Sequence, residues 1–211
     1  MKTVLCFGDS NTHGTVPMQH LDDTRRFPPE VRWPGVLQSC LGAGWQVIEE
    51  GLPGRTIARD DPVEGEDRNA LRYLPACLQT HRPLDAIVFM LGTNDLKARF
   101  GASADAIAQG AHALIDTVER NNMPGQDRPK VLLVCPPAIG ERGCLAAMFS
   151  GGEARGLGLA KSMAAVAQQR HAWFLDGGQH ACTDAVDGIH LTADSHRALG
   201  QAVAHMLLSR F

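Results

Sequence analysis

The sequence predicts a three-layer α/β sandwich, with one five-stranded parallel sheet between two layers of helices. Three observations carry this reading. Short apolar runs alternate with longer amphipathic stretches five times along the chain. Several of the runs are nearly continuous in apolar residues, as strands covered on both faces are. The length of 211 residues suits one domain, 1–211, with right-handed crossovers between its strands.

The elements follow in order. Residues 3–7 (TVLCF) form a first buried strand, and residues 33–41 a helix. Residues 45–48 (WQVI) form the second strand, and 67–81 the next amphipathic helix. The run 86–91 (AIVFML) forms the third strand, followed by a helix over 104–121. Strand 131–135 (VLLVC), helix 153–170 and strand 172–175 complete the alternation. The terminal helix spans 193–210: Thr192 suits an N-cap, and Ala198, Leu199, Ala202, Val203 and Met206 keep helical spacing. Residues 52–66 and 136–152 read as long loops, which serve either as active-site walls or as subunit contacts.

Composition excludes several classes. A net charge of −3 argues against a nucleic-acid partner, which needs a basic footprint. No apolar run approaches the roughly 20 residues that span a bilayer, so no membrane partner is expected. The start, MKTVLCFGDS, lacks a long apolar leader and a small-residue cleavage site. It reads as mature sequence, with the cytoplasm as the expected location. The six cysteines form no CxxC pair and read as small buried hydrophobes; with no HExxH-type pair either, no metal and no cofactor are expected.

Four blocks follow predicted strands: Gly8-Asp9-Ser10-Asn11-Thr12, Gly51-Leu52-Pro53-Gly54, Gly92-Thr93-Asn94-Asp95 and Asp187-Gly188-Ile189-His190. The carboxyl ends of strands are where an open parallel sheet binds its ligand. A strand order of 2-1-3-4-5, taken as a working assumption, puts Ser10, Gly54 and Asn94 on adjacent strand tips, within reach of one carbonyl group. Serine needs a base, which His190 supplies; Asp187 holds the imidazole in the required tautomer. The N–H groups of Ser10 and Gly54 and the Asn94 side-chain amide supply an oxyanion hole, with Gly51 as the alternative to Gly54. Any one block alone reads as an ordinary turn or cap; their joint occurrence at strand ends reverses that. Asn11 and His13 are candidate substrate contacts, although a loop histidine is more often solvent-facing. Arg55, Arg59, Arg68 and Arg72, interspersed with acids, read as a solvated face, with a subunit contact as the alternative. No GxSxG elbow surrounds a serine, and the stretch 156–162 lacks the glycine and the preceding strand of a P-loop.

The GDSN run, Gly54, GTND and DGIH together resemble the sequence blocks of the SGNH (GDSL-like) hydrolase family, over nearly the whole chain. The family's four letters fall on Ser10, Gly54, Asn94 and His190. The stretches VLCFGDSNTHGTVP, RFPPEVRWPGVL, VIEEGLPGRT and MLGTNDLKA are similar to its arylesterase and acyltransferase branch. The resemblance implies a flavodoxin-like fold and hydrolysis of short-chain carboxylic esters through an acyl-enzyme, with acyl transfer to alcohols or peroxide. It also implies a homo-oligomer, up to an octamer. A carbohydrate acetylesterase or a thioesterase with the same triad is the alternative. Asn11, His13 and Thr15 stand where that branch has bulkier apolar residues, so hydrolysis is expected to dominate transfer.

Overall fold

The structure is a computed structural model that describes residues 1–211 apart from 124 and 126. Its sheet contains β1 (Lys2–Gly8), β2 (Trp45–Gly51), β3 (Ala86–Met90), β4 (Lys130–Cys135) and β5 (Trp173–Asp176), all parallel, in the order β2-β1-β3-β4-β5. The helices are α1 (Ser10–His13), α2 (Trp33–Leu41), α3 (Ala70–His81), α4 (Ala104–Arg120), α5 (Gly152–Gly156), α6 (Leu159–Gln169) and α7 (Ala193–Leu208).

Alternation along the strands divides the core into two layers. Leu5, Phe7, Ile87, Phe89 and Leu133 face one side and pack with side chains of α3, α4 and α6. Val4, Cys6, Val88, Leu132 and Val134 face the other and pack with α2 and α7. Burial on both faces is why these runs carry almost no polar residue. Among the described residues no helix is long and apolar enough to cross a membrane.

Two helix boundaries depart from the sequence reading. The segment 153–170 is not one helix: Gly158, at φ +83°, breaks it into α5 and α6 with Leu157 exposed between them. Left-handed backbone of this kind is readily taken by glycine. Residues 66–68 form a 3-10 turn, and α3 starts after Asn69, whose side chain accepts from the Leu71 N–H. The terminal helix is capped as expected, with Thr192 accepting from the Ser195 N–H at 3.0 Å.

The cysteines divide more evenly than composition suggested. Cys6, Cys77 and Cys135 are buried, Cys144 is half-buried, and Cys40 and Cys182 are exposed.

Candidate active site

Strand register brings the motif blocks together. Gly8 pairs with Gly51 on one side and with Met90 on the other, so the segments leaving β1, β2 and β3 emerge side by side. The chain after β1 turns at once into α1. Asp9 caps this single turn by accepting from the Asn11 N–H at 2.9 Å. Gly8 cannot carry a side chain here: a Cβ would lie 2.0 Å from the Thr12 hydroxyl and 2.7 Å from the Met90 carbonyl.

A cleft of about 500 Å³ opens above these tips. Ser10, His13, Gly54, Asn94 and His190 all line it. Its apolar wall comes mostly from Met18, Leu145, Met148 and Phe149, and Leu21, Asp23 and Arg25 also line it. The 136–152 loop is therefore a wall of this cleft. The 17–25 segment is a second wall, one that sequence reading missed because it has neither periodicity nor a motif.

Asp187 lies behind His190, fully buried, and accepts from its Nδ1 at 2.6 Å. Burial pushes the Asp187 carboxyl up, but the His190 hydrogen bond and charge and the surrounding backbone N–H groups hold it below the usual carboxylate range. With Nδ1 committed, Nε2 is the ring nitrogen left for the cleft. The N–H groups of Ser10 and Gly54 have no partner among the described residues. Asn94 Nδ2 donates to the Arg55 carbonyl at 3.1 Å and makes only a long contact, 3.4 Å, with Asp9.

Gly54 and Gly51 are distinguished by position. Gly54, at φ +79°, lines the cleft. Gly51 lies beneath His13, where a Cβ would come within 2.2 Å of the His13 nitrogen. Its lack of a side chain serves close packing, outside the cleft lining.

Asn11 is not a cleft residue, contrary to the sequence reading. It is 1% exposed; its Nδ2 donates to the Ile189 carbonyl and its Oδ1 accepts from the Leu191 N–H, each at 3.0 Å. Both ends of the amide are thus spent on the backbone flanking His190. His13 does line the cleft, and burial together with nearby Arg26 and Arg32 lowers its pKa, keeping the ring neutral at pH 7.

A buried polar layer supports the site from below. Arg55, expected on a solvated face, is 3% exposed; it donates to the Gly8 carbonyl at 2.9 Å and to the Glu50 carbonyl, and stacks on Phe7. Asp9 and Asp95 are both fully enclosed. Burial raises Asp9 to about 6 against the pull of the Asn11 N–H and of His190, Arg55 and Lys97. Asp95 is raised to about 7, against the Ile57 N–H and Arg59. Asp95 accepts that Ile57 N–H at 3.0 Å, and Lys97 pairs with Glu64, so the 52–66 loop is tied to the turn after β3 at several points. Sequence reading missed Lys97 and Glu64 because they meet only after folding.

Comparison with known proteins gives the family of the chain. The family model described as GDSL-like Lipase/Acylhydrolase matches residues 6–198. A sequence search of curated proteins gave no match. Among solved structures, the chain is similar to the native M. smegmatis aryl esterase, with 43% identity, a TM-score of 0.94 and full coverage of both chains. The inhibitor-bound form of that esterase matches at 42% identity, again with full coverage of both chains and a TM-score of 0.94. Est24, a carbohydrate acetylesterase from Sinorhizobium meliloti, matches at 38% identity, a TM-score of 0.94 and full coverage of both chains. With most of its length matched by the family model and two full-length relatives above 30% identity, the chain belongs to the GDSL-like lipase/acylhydrolase family and is an esterase of that family.

Proposed function

We propose that the protein hydrolyses short-chain carboxylic esters through a Ser10 acyl-enzyme. The observation that carries this is the 2.6 Å contact of His190 Nδ1 with buried Asp187, in a cleft that His190 shares with Ser10, Gly54 and Asn94. Ser10 Oγ attacks the ester carbonyl and gives its proton to His190 Nε2. Asp187 keeps Nδ1 protonated and stabilises the imidazolium. The N–H groups of Ser10 and Gly54 and the Asn94 amide receive the negative oxygen. Collapse expels the alcohol, which takes the proton from His190. Water then repeats the sequence on the acyl-enzyme, and an alcohol or peroxide in its place gives transfer. His13 and Thr15 keep the entrance polar, which favours hydrolysis over transfer.

The apolar wall of Met18, Leu145, Met148 and Phe149 suits a short acyl or aryl group. A second reading, deacetylation of carbohydrates, is supported by the similarity to Est24. Against it, Phe149 is the one Phe, Tyr or Trp among the described lining residues, which leaves little for sugar stacking. The same reading includes a homo-oligomer in which a second subunit narrows the entrance beside Leu21, which lines the cleft and is exposed in the single chain.

The test is a panel of aryl and alkyl esters of rising acyl length beside acetylated sugars, each with and without added alcohol. Turnover that falls as the acyl chain lengthens supports the proposal, and preference for acetylated sugars replaces it with the second reading. Ser10→Ala is expected to abolish turnover in a folded protein. Asn94→Ala is expected to lower kcat by roughly 10²–10³, with KM changing less. Light scattering gives the oligomeric mass.

A further inference from the structure

Outside the cleft, the described residues contain one group of three side chains with metal-ligand chemistry, Glu50, Cys77 and His81. Cys77 and His81 are four residues apart on α3, so they lie one above the other on the same helix face. That face packs against β2, which presents Glu50 from its next-to-last position. One ligand atom from each residue lies within 4.8 Å of the other two, and His81 Nε2 is 2.8 Å from Glu50 Oε1. Tetrahedral ligands around an ion held at 2.0–2.3 Å are separated by roughly 3–4 Å, so small side-chain shifts would seat one. Tyr73, one turn before Cys77 on α3, places its hydroxyl 3.3 Å from the Glu50 carboxylate and can hold that group in place.

We propose that Glu50, Cys77 and His81 form a Zn²⁺ site that clips α3 to edge strand β2, with water as the fourth ligand. The donor set selects the ion. A thiolate with an imidazole suits zinc, whereas Mg²⁺ and Ca²⁺ take oxygen ligands. Charge balances as well: Zn²⁺ with one thiolate and one carboxylate is neutral, so the Arg55 guanidinium nearby meets no net positive charge. On binding, the Cys77 thiol gives up its proton to solvent as the Zn–S bond forms. None of the three residues lines the cleft, so the ion is structural and takes no part in ester cleavage. Sequence reading could not find the group, because Glu50 is distant in the chain and a lone C-x₃-H is weak evidence.

Tag-free protein, stripped with a chelator and dialysed, is titrated with Zn²⁺ against a chromophoric competitor and separately with Co²⁺. One equivalent of Zn²⁺ is expected to bind, with a near-ultraviolet thiolate-to-cobalt band for Co²⁺. Saturating Zn²⁺ should raise Tm by about 5 °C or more. Cys77→Ser and His81→Gln should each weaken binding by at least about 10²-fold, whereas replacing exposed Cys40 and Cys182 with Ser should leave it intact. If Cys77→Ser fails to fold, His81→Gln, at the half-buried helix end, decides the matter. Absence of stoichiometric binding, a cobalt complex without the thiolate band, or unchanged affinity in His81→Gln overturns the site and leaves His81 and Glu50 as a plain ion pair.

Discussion

Asp187 holds His190 at two points: its Oδ2 accepts from the ring Nδ1 at 2.6 Å, and its Oδ1 accepts from the backbone N–H of the same residue at 2.9 Å. The Ile189 N–H adds a second bond to Oδ1, and the Met18 N–H a second to Oδ2. The carboxylate therefore fixes ring, backbone and the neighbouring cleft wall together. Asp187→Asn has only one acceptor oxygen, so its NH₂ must face two N–H donors. A kcat loss of about 10⁴-fold is expected, on the scale of such changes in other triads, together with a lower Tm. Near-native kcat in that variant would remove Asp187 from the chemistry.

Asn11 acts on the same loop from the other side. Asn11→Ala leaves the Ile189 carbonyl and the Leu191 N–H unpaired in a buried site, each at a cost of about 1–3 kcal/mol. The expected result is a Tm several degrees lower and a kcat reduced about tenfold or more, with KM little changed. A rise in KM alone, at wild-type Tm, would restore Asn11 as a direct substrate contact.

Lys97 is 2% exposed and pairs with Glu64, whose carboxylate packs where a side chain on residue 54 would lie. The pair thus joins the Asn94 turn to the Gly54 loop, the two segments that carry proposed oxyanion donors. Arg99 and Asp61 complete the cluster, with Arg99 also bonded to Glu64 at 2.7 Å. Lys97→Met alone leaves acidic groups under-compensated and should cost about 3–5 kcal/mol of stability and lower kcat. Adding Glu64→Gln should recover part of both losses, a coupling read by a double-mutant cycle. Strict additivity would show that the pair does not act as a unit.

His196 is fully buried between α7 and α2, accepts from the Trp33 N–H at 3.3 Å, and is lowered to about 4 by burial, reinforced by His190 and Arg32. A histidine depressed in the folded state favours folding fully above its unfolded value of about 6.5. That contribution is lost as pH falls through the folded value. It amounts to about 3 kcal/mol, lost between pH 6.5 and 4. His196→Asn, which retains an acceptor for Trp33, should flatten the stability curve in that window. Parallel wild-type and variant curves in urea melts from pH 7 to 4 would contradict this.

The five strands and the four motif blocks were legible in the chain because each depends on local pattern, whereas the strand order entered as an assumption and was decided by the pairing of β1 with β2 and β3. A strand covered on both faces must be apolar throughout, and Gly-Asp-Ser or Asp-Gly-Ile-His after such a run marks a strand tip whatever lies elsewhere. The serine, histidine and aspartate could be assigned roles from the chemistry a nucleophile needs. Tertiary structure decided what long-range contact decides. Asn11 looked like a cleft residue by its place beside Ser10, but α1 turns its amide inward to the His190 loop. Arg55 looked solvated among its charged neighbours, yet the β2 turn folds it beneath Gly8. Lys97 and Glu64 stand 33 positions apart, and Cys77 and Glu50 lie on different elements. Periodicity reports which face of one element is buried. It carries no information about which side chains of two elements meet, because that depends on the packing of the whole domain.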